Sequence, residues 1–307
     1  MNPLLATLGG KLTERWLNLL VLPGALFLAA TALCTTLGHR HWHDIDRLRT
    51  TLDDLATRPA LDHTGTAALL VALVLLTATA ASLAAQFLGS VIEQYWLRFA
   101  RDPLSHALVD RRRRKWGRRE QELDAAYPVT RTDTEDGDAV PTPAPTHAQI
   151  QALTDARNRV ALRKPTRPTW YGDRMQATAD RVEAAYGVDL AALWPRLWLI
   201  LPEPAVHHIQ SAHDSFSTAA RLAAWAVGYA LLACWWWPAA LVAVGCAAVA
   251  RSRARDALDA LAGLIEAAVD VHGRELAGRV GLIGTDSAGL LGHEAGDRMS
   301  ELFRKAE

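Results

Sequence analysis

Three stretches of the chain are almost free of charge, and the polar segments between them set its layout. The first, Trp16 to Leu37, has Asn18 as its strongly polar residue and is long enough for one crossing of a hydrocarbon core of about 30 Å. Pro23 and Gly24 predict a kink there, which lipid tolerates when neighbouring helices satisfy the freed carbonyl groups. The second, Gly65 to Ile92, carries no charge and grows rich in small residues. Ala81, Ala85 and Gly89 repeat every fourth position, as do Ala78 and Ser82, and this spacing lets helix backbones approach closely in a membrane. The third runs from Leu222 to Ala250. As one helix it would measure about 43 Å at 1.5 Å per residue, too long for a single span. Trp235, Trp236, Trp237 and Pro238 interrupt it. Indole rings favour the headgroup level and proline suits a helix start, so the pattern predicts a hairpin turning at 235–238. Its ascending arm borrows length from Phe216 to Arg221, whose guanidinium snorkels back to the headgroups, and pairs Ala224 with Gly228. The descending arm starts at about Pro238 and carries the small row Ala239, Ala243 and Ala247.

The polar segments assign a side to each span. Beyond Ile92 come Arg98 and Arg101, then Arg111, Arg112, Arg113, Arg114 and Lys115, then Arg118 and Arg119, while Arg251, Arg253 and Arg255 follow the third window at once. Arginine beside a span marks the cytoplasmic face, so residues 93–215 and both termini are expected inside the cell. The layout is then an all-α integral protein of the cell membrane, multi-pass, with four helices arranged two plus two. Residues 1–92 form an N-terminal hairpin with spans at about 16–37 and 65–92. Residues 93–215 form a cytoplasmic helical region with a proline-rich linker at 131–146. Residues 216–250 form the second hairpin, and 251–307 a cytoplasmic helix with a flexible tail. Lys11 and Arg15 precede an apolar run too long for a signal peptide, which predicts an uncleaved anchor.

Within the polar segments, Ile45, Leu48, Leu52 and Leu55 predict a short amphipathic helix on the far side. The segment from Ile92 to about Tyr127 reads as a charged extension of the second span. Asp173 is expected to cap a helix ending at Gly187, with Met175, Ala179, Val182 and Tyr186 on its apolar face. Asp189 is expected to cap another, in which Leu190, Leu193, Trp194, Leu197, Trp198 and Leu201 make a stripe interrupted at Pro195. Leu258, Leu261, Ile265, Ala268 and His272 alternate steps of three and four, so the fourth membrane helix should run unbroken to about Ala277, and the glycine-rich end beyond it reads as loose.

Composition refines this picture in two respects. The 33 basic residues balance 33 acidic ones, and only Lys11, Lys115, Lys164 and Lys305 are lysine, a usage that with the abundant alanine points to a GC-rich bacterial genome. Cys34, Cys234 and Cys246 all fall in apolar windows, which argues against a disulfide framework.

Candidate chemistry is sparse. His39, His41 and His43, with Asp44, Asp46 and His63 nearby, have ligand types that suit zinc or copper but nothing to hold them extended, so a polar interfacial loop is the expected reading and neither metal nor cofactor is assigned. His208 and His213 are spaced wrongly to share a helix face, and Asp133, Glu135, Asp136 and Asp138 miss the EF-hand pattern. Arg111, Arg112, Arg113, Arg114 and Lys115 fix topology and, with Trp235, Trp236 and Trp237, are expected to touch lipid headgroups. Their position near a span argues against nucleic acid. Trp170 and Tyr171, and Trp194 with Trp198, read as core. No phosphate-binding loop, nucleophile elbow or HExxH occurs, and no acid lies within a span, where Gln86 serves as interhelical glue.

These features point to a non-enzymatic scaffold or signalling component that meets a protein partner through its cytoplasmic helices. The alternative is an oligomeric ion channel or pore-forming effector lined by Thr77, Thr79, Ser82 and Gln86. Bestrophin-type channels have a similar two-plus-two layout, a similarity of topology without a bestrophin motif. For assembly, Leu258, Leu261 and Ile265 form a seam that must be buried by the chain's own helices or by another copy. The row Ala239, Ala243 and Ala247 on the same helix favours a homo-oligomer.

Overall fold

The computed structural model describes residues 21–37, 46, 49–50, 53, 64–99, 102–126, 146–284 and 289–304. The linker before Thr146, the helix expected around Leu48 and Leu52, the acidic patch from Asp133 and the His39–His41–His43 loop lie outside the described residues. Among the described residues the chain is all-α, without a strand. Its helices are α1 (Leu22–Leu37), α2 (Thr64–Leu97), α3 (Pro103–Ala126), α4 (His147–Asn158), α5 (Trp170–Tyr186), α6 (Leu190–Trp198), α7 (Glu203–Leu232), α8 (Pro238–Arg279) and α9 (His293–Arg304). They fall into two compact units, residues 1–93 with 215–254, and residues 94–214 with 255–307.

In the first unit small residues are buried. Ala78, Ser82, Ala85 and Gly89 form the inner face of α2, merging the two rows read from the sequence into one with steps of four, three and four. A Cβ on Gly24 of α1 would lie 2.0 Å from the Ala78 carbonyl oxygen, so only glycine allows this approach. The Phe27 ring stands tilted 5.5 Å from Trp225 and edge-on 5.4 Å from Tyr229. Helix α7 ends at Leu232, residues 233–237 turn, and Pro238 opens α8, whose Ala239, Ala243, Ala250 and Ala254 are buried. Of the described helices, α2 from Gly65 to Leu97 is long and apolar enough to cross a membrane, and α1 is a shorter apolar helix. Gly24→Val should push α1 off a backbone oxygen that cannot rotate away, costing about 1–3 kcal/mol or more. Melting in mild detergent reads this against Gly245→Val, since a side chain at Gly245 meets nothing within 4 Å.

The second unit is held by Leu193, Leu197, Val188, Leu258, Val269 and Met299, all fully buried. The second span does not continue as a charged helix. Helix α2 stops at Leu97 and Pro103 starts α3, because the terminal carbonyls find other donors: Arg167 Nη1 reaches Leu97 O at 2.8 Å and the Thr169 hydroxyl donates to Trp96 O. Gly187, at φ 67°, closes α5, and Asp189 caps α6 by accepting from the Ala191 amide at 3.0 Å. Pro195 lies inside α6 without ending it.

The chain's end is a correction. Residues 293–304 form α9, packed where a Cβ on Gly296 would sit 1.8 Å from Tyr186 O. Ser300 Oγ fastens it, donating to Gly187 O or Gly296 O and accepting the Asp189 amide at 2.9 Å. Asp189 also accepts from Arg304 at 2.9 Å. Burial raises the Asp189 pKa, but hydrogen bonds from Arg304 and from the Ala191 and Ala192 amides outweigh this and hold it below the ordinary aspartate value. A depressed carboxyl stabilises the fold above its unfolded value of about 3.9 and loses that contribution as pH falls through the folded value. Spin labels on α6 and α9 should therefore separate only below about pH 4, and an Asp189→Asn variant should lack this step.

Candidate functional site

The basic run occupies a little more than one turn of α3, so its cations point in different directions. Ser105, Val109, Arg112, Trp116, Glu120 and Leu123 recur at steps of three and four and form the inward face. Arg112, with its side chain 17 % exposed, does not belong among the headgroup contacts. Its Nη1 donates to the carbonyls of Arg167 (2.7 Å) and Thr169 (2.6 Å) and to Asp173 Oδ2, and its Nη2 to Val160 O at 2.6 Å. Arg113 Nε donates to Pro165 O at 2.9 Å and Trp116 Nε1 to Ala161 O at 3.0 Å. Arg111, Arg114 and Lys115 remain exposed, on the side of α3 that also bares Leu104 and Leu108.

What α3 grips is the loop 159–169, a segment with no strand or helix to satisfy its backbone. Asp173 completes the grip. Its Oδ1 accepts from the amides of Thr166 and Arg167, both at 2.8 Å, and from the Thr166 hydroxyl. Asp173 is therefore not the helix cap expected from the sequence. Thr169 is, accepting from the Gly172 amide at 3.1 Å. Arg167 lies 3.5 Å above the Phe99 ring and donates to Gln176 at 2.7 Å. Burial lowers its pKa, opposed by Asp173 and Asp180. Trp96 stacks on Tyr171 at 4.4 Å. The signal for this node in the sequence is the helical spacing of Ser105, Val109, Arg112 and Trp116, which puts Arg112 on the same face as Val109 and Trp116.

Helix α5 also lies along α8 through a ladder of polar contacts. Arg174 Nε bonds Asp259, Arg181 bonds Glu266, and the Tyr186 hydroxyl donates to Asp270 at 2.7 Å. The offsets of 85, 85 and 84 residues mean that the helices run parallel. The bond to Asp270 is the main reason that the Tyr186 pKa is raised, and burial adds to it. An open cleft of about 420 Å³ beside the ladder is lined by Arg163, Arg181, Tyr186, Glu266 and Asp270. The expected oligomer seam lies under this ladder. Leu258, Leu261 and Ile265 are buried within one chain, as are Ala239 and Ala243, which leaves Ala247 as the exposed member of the six. Within one chain α5 lies along the stretch of α8 that carries Leu258, Leu261 and Ile265 and contributes to that burial.

The first unit holds a cleft of about 300 Å³ lined by Pro23, Ser82, Gln86, Arg221, Trp225 and Arg253 among others. Arg221 donates to Thr218 Oγ1 at 2.8 Å, and neither arginine forms an ion pair among the described residues. The hydroxyls proposed to line a pore are engaged locally. Thr77 donates to Leu73 O at 2.8 Å, Thr79 to Leu75 O at 2.7 Å, and Ser82 is buried where α1 meets α2 at Gly24. Trp235 and Trp237 are exposed and Trp236 is half-buried. His207, His208 and His213 are exposed, and no group of three or more metal-ligand side chains is assembled among the described residues.

No protein-family model, characterised protein or solved structure matches the chain.

Proposed function

We propose that the protein is a membrane-anchored, non-enzymatic scaffold or signalling component. Its first unit sits in the cell membrane as four spans, and its second unit and both termini face the cytoplasm, where the helical surface meets a protein partner. One observation carries the membrane reading: the first unit is packed small side in and large side out. On α2, Leu69 is 72 % exposed, Leu76 70 % and Phe87 72 %, and on α8 Leu241 is 66 % and Val244 68 % exposed, while the positions that these helices bury in the unit are small: Ala78, Ser82, Ala85 and Gly89 on α2, and Ala239, Ala243, Ala250 and Ala254 on α8. In water each bared side chain forgoes about 1.5–3 kcal/mol of burial. In lipid the arrangement is favourable, because helices there associate by close backbone contact and not by hiding large apolar groups.

In the second unit the buried Asp173 and Arg174 are paired, while exposed charges remain on its helices and on the loop 159–169, which supports a docking role. The α3 face of Leu104, Leu108, Arg111 and Lys115 combines apolar and cationic groups as surface-adsorbing helices do, and this supports headgroup contact for Arg111, Arg114 and Lys115.

Topology is the first test. With Cys34, Cys234 and Cys246 replaced, a cysteine at Thr51 should react with an impermeant maleimide on intact cells, and one at Ala125 should be protected. Equal protection of both would remove the four-span reading. Conductance of the purified protein in a planar bilayer, sensitive to substitution of Gln86, would replace the scaffold with the channel.

A further inference from the structure

The two arginines of the first unit's cleft are its least explained feature. Arg221 and Arg253 line a cavity whose other walls include Pro23, Ala85, Leu222 and Trp225. Among the described residues Arg221 has one side-chain partner, Thr218, and Arg253 has none. Two guanidinium groups line one cleft beside an apolar wall, and no carboxylate is among its lining residues, so the cleft presents a concentrated positive charge to an anion from outside the chain. Guanidinium donors in a planar fork match the oxygens of a phosphate. The position of Arg221 is also set by its neighbours. A Cβ on Gly89 would fall 2.8 Å from Arg221 Cγ and 3.0 Å from its Cα, so the stem of the side chain is pressed against α2.

We propose that this cleft binds an anionic phospholipid, with the phosphate held by Arg221 and Arg253 and the acyl chains lying along Trp225 and the bared apolar face of the unit. The proposal rests on the membrane reading above. The volume of about 300 Å³ suits a headgroup and its glycerol but not a whole lipid, and the exposed side chains of Leu83, Phe87 and Val227 give the tails an apolar surface. A free phosphate would satisfy the arginines equally but would leave Trp225 and Leu222 without a role. That contrast favours the lipid.

The test uses the full chain, stripped of lipid in mild detergent and titrated with phosphatidylglycerol, phosphatidylcholine or inorganic phosphate. Native mass spectrometry reads the bound adducts and thermal melting reads the shift. The expected result is a retained phosphatidylglycerol adduct with a raised melting temperature, and neither with phosphatidylcholine. The double variant Arg221→Gln, Arg253→Gln should lose at least tenfold in phosphatidylglycerol affinity, while Arg279→Gln with Arg298→Gln, an equal loss of charge elsewhere, should not. Because Arg221 is half-buried, Arg253→Gln alone serves as the second variant and should weaken binding in a chain that melts normally. Equal binding of both lipids, equal binding by the double variant, or stabilisation by inorganic phosphate matching that by the lipid would each overturn the proposal. Insertion into nanodiscs is scored separately. A chain that enters them without lipid selectivity refutes the cleft site alone, whereas one that stays soluble without detergent refutes the membrane reading beneath it.

Discussion

Aspartate at both Leu261 and Ile265 is expected to unfold the second unit, not to separate copies of an intact chain. Each substitution removes an apolar side chain worth about 1.5–3 kcal/mol of burial. Each also places a carboxylate on the face that carries Leu258, Ala262 and Val269, all buried, where an unpaired charge costs more than the burial it replaces. Arg174 and Arg181, the cations that α5 presents to this stretch of α8, are already committed to Asp259 and Glu266. A combined loss of about 5 kcal/mol or more would consume between a third and all of the roughly 5–15 kcal/mol typical of a folded domain. Circular dichroism should show helix lost at ordinary temperature, with the melting transition shifted down or split. A monomer with unchanged helicity and melting would mean that the seam faces another molecule after all.

Asp173→Ala should be the next most damaging change, at about 3–5 kcal/mol, the range for breaking a buried ion pair by deleting one member. Without the carboxylate, the Arg112 guanidinium loses its contact with Asp173, and the amides of Thr166 and Arg167 lose their acceptor. Asp173→Asn should cost less, because an amide oxygen still accepts from those two amides although the charge is gone. Trp116 and Trp170 both bond to carbonyls at the start of this loop, those of Ala161 and Asn158, so tryptophan emission should shift with the same midpoint as the loss of helix. An unchanged melt for Asp173→Ala would show that the loop is held by other contacts.

Features set by neighbouring residues were legible in the sequence, and those set by distant partners were not. Gly187 and Asp189 declare a helix end and a helix start through their own backbone preferences. The interruption between Leu232 and Pro238 declares itself similarly. Asp173 was misassigned because Thr169 and Asp173 both precede apolar periodicity, and what decides between them is Arg112, 61 residues away. In a run of like residues nothing local marks Arg112 as the inward member, although the period of Val109, Arg112 and Trp116 does. The seam at Leu258 to Ile265 is recognisable as something to be buried, but its covering helix lies some 85 residues earlier in the chain. Helix α9 was overlooked because Gly296 was read as looseness, whereas its missing side chain is what lets α9 approach the Tyr186 carbonyl.

The constant offset between α5 and α8 has a mechanical consequence. If α5 slipped four residues towards the end of α8, Arg181 would meet Asp270 but Arg174 would face Gly263. If it slipped three the other way, Arg174 would meet Asp256 and Arg181 would face Gly263. Each displaced register keeps one charged contact and strands another, and positions between registers keep none. The two helices therefore behave as a keyed joint with detents about 5.4 Å apart, one helical turn, so that any movement of one along the other is a jump between seated positions and not a glide.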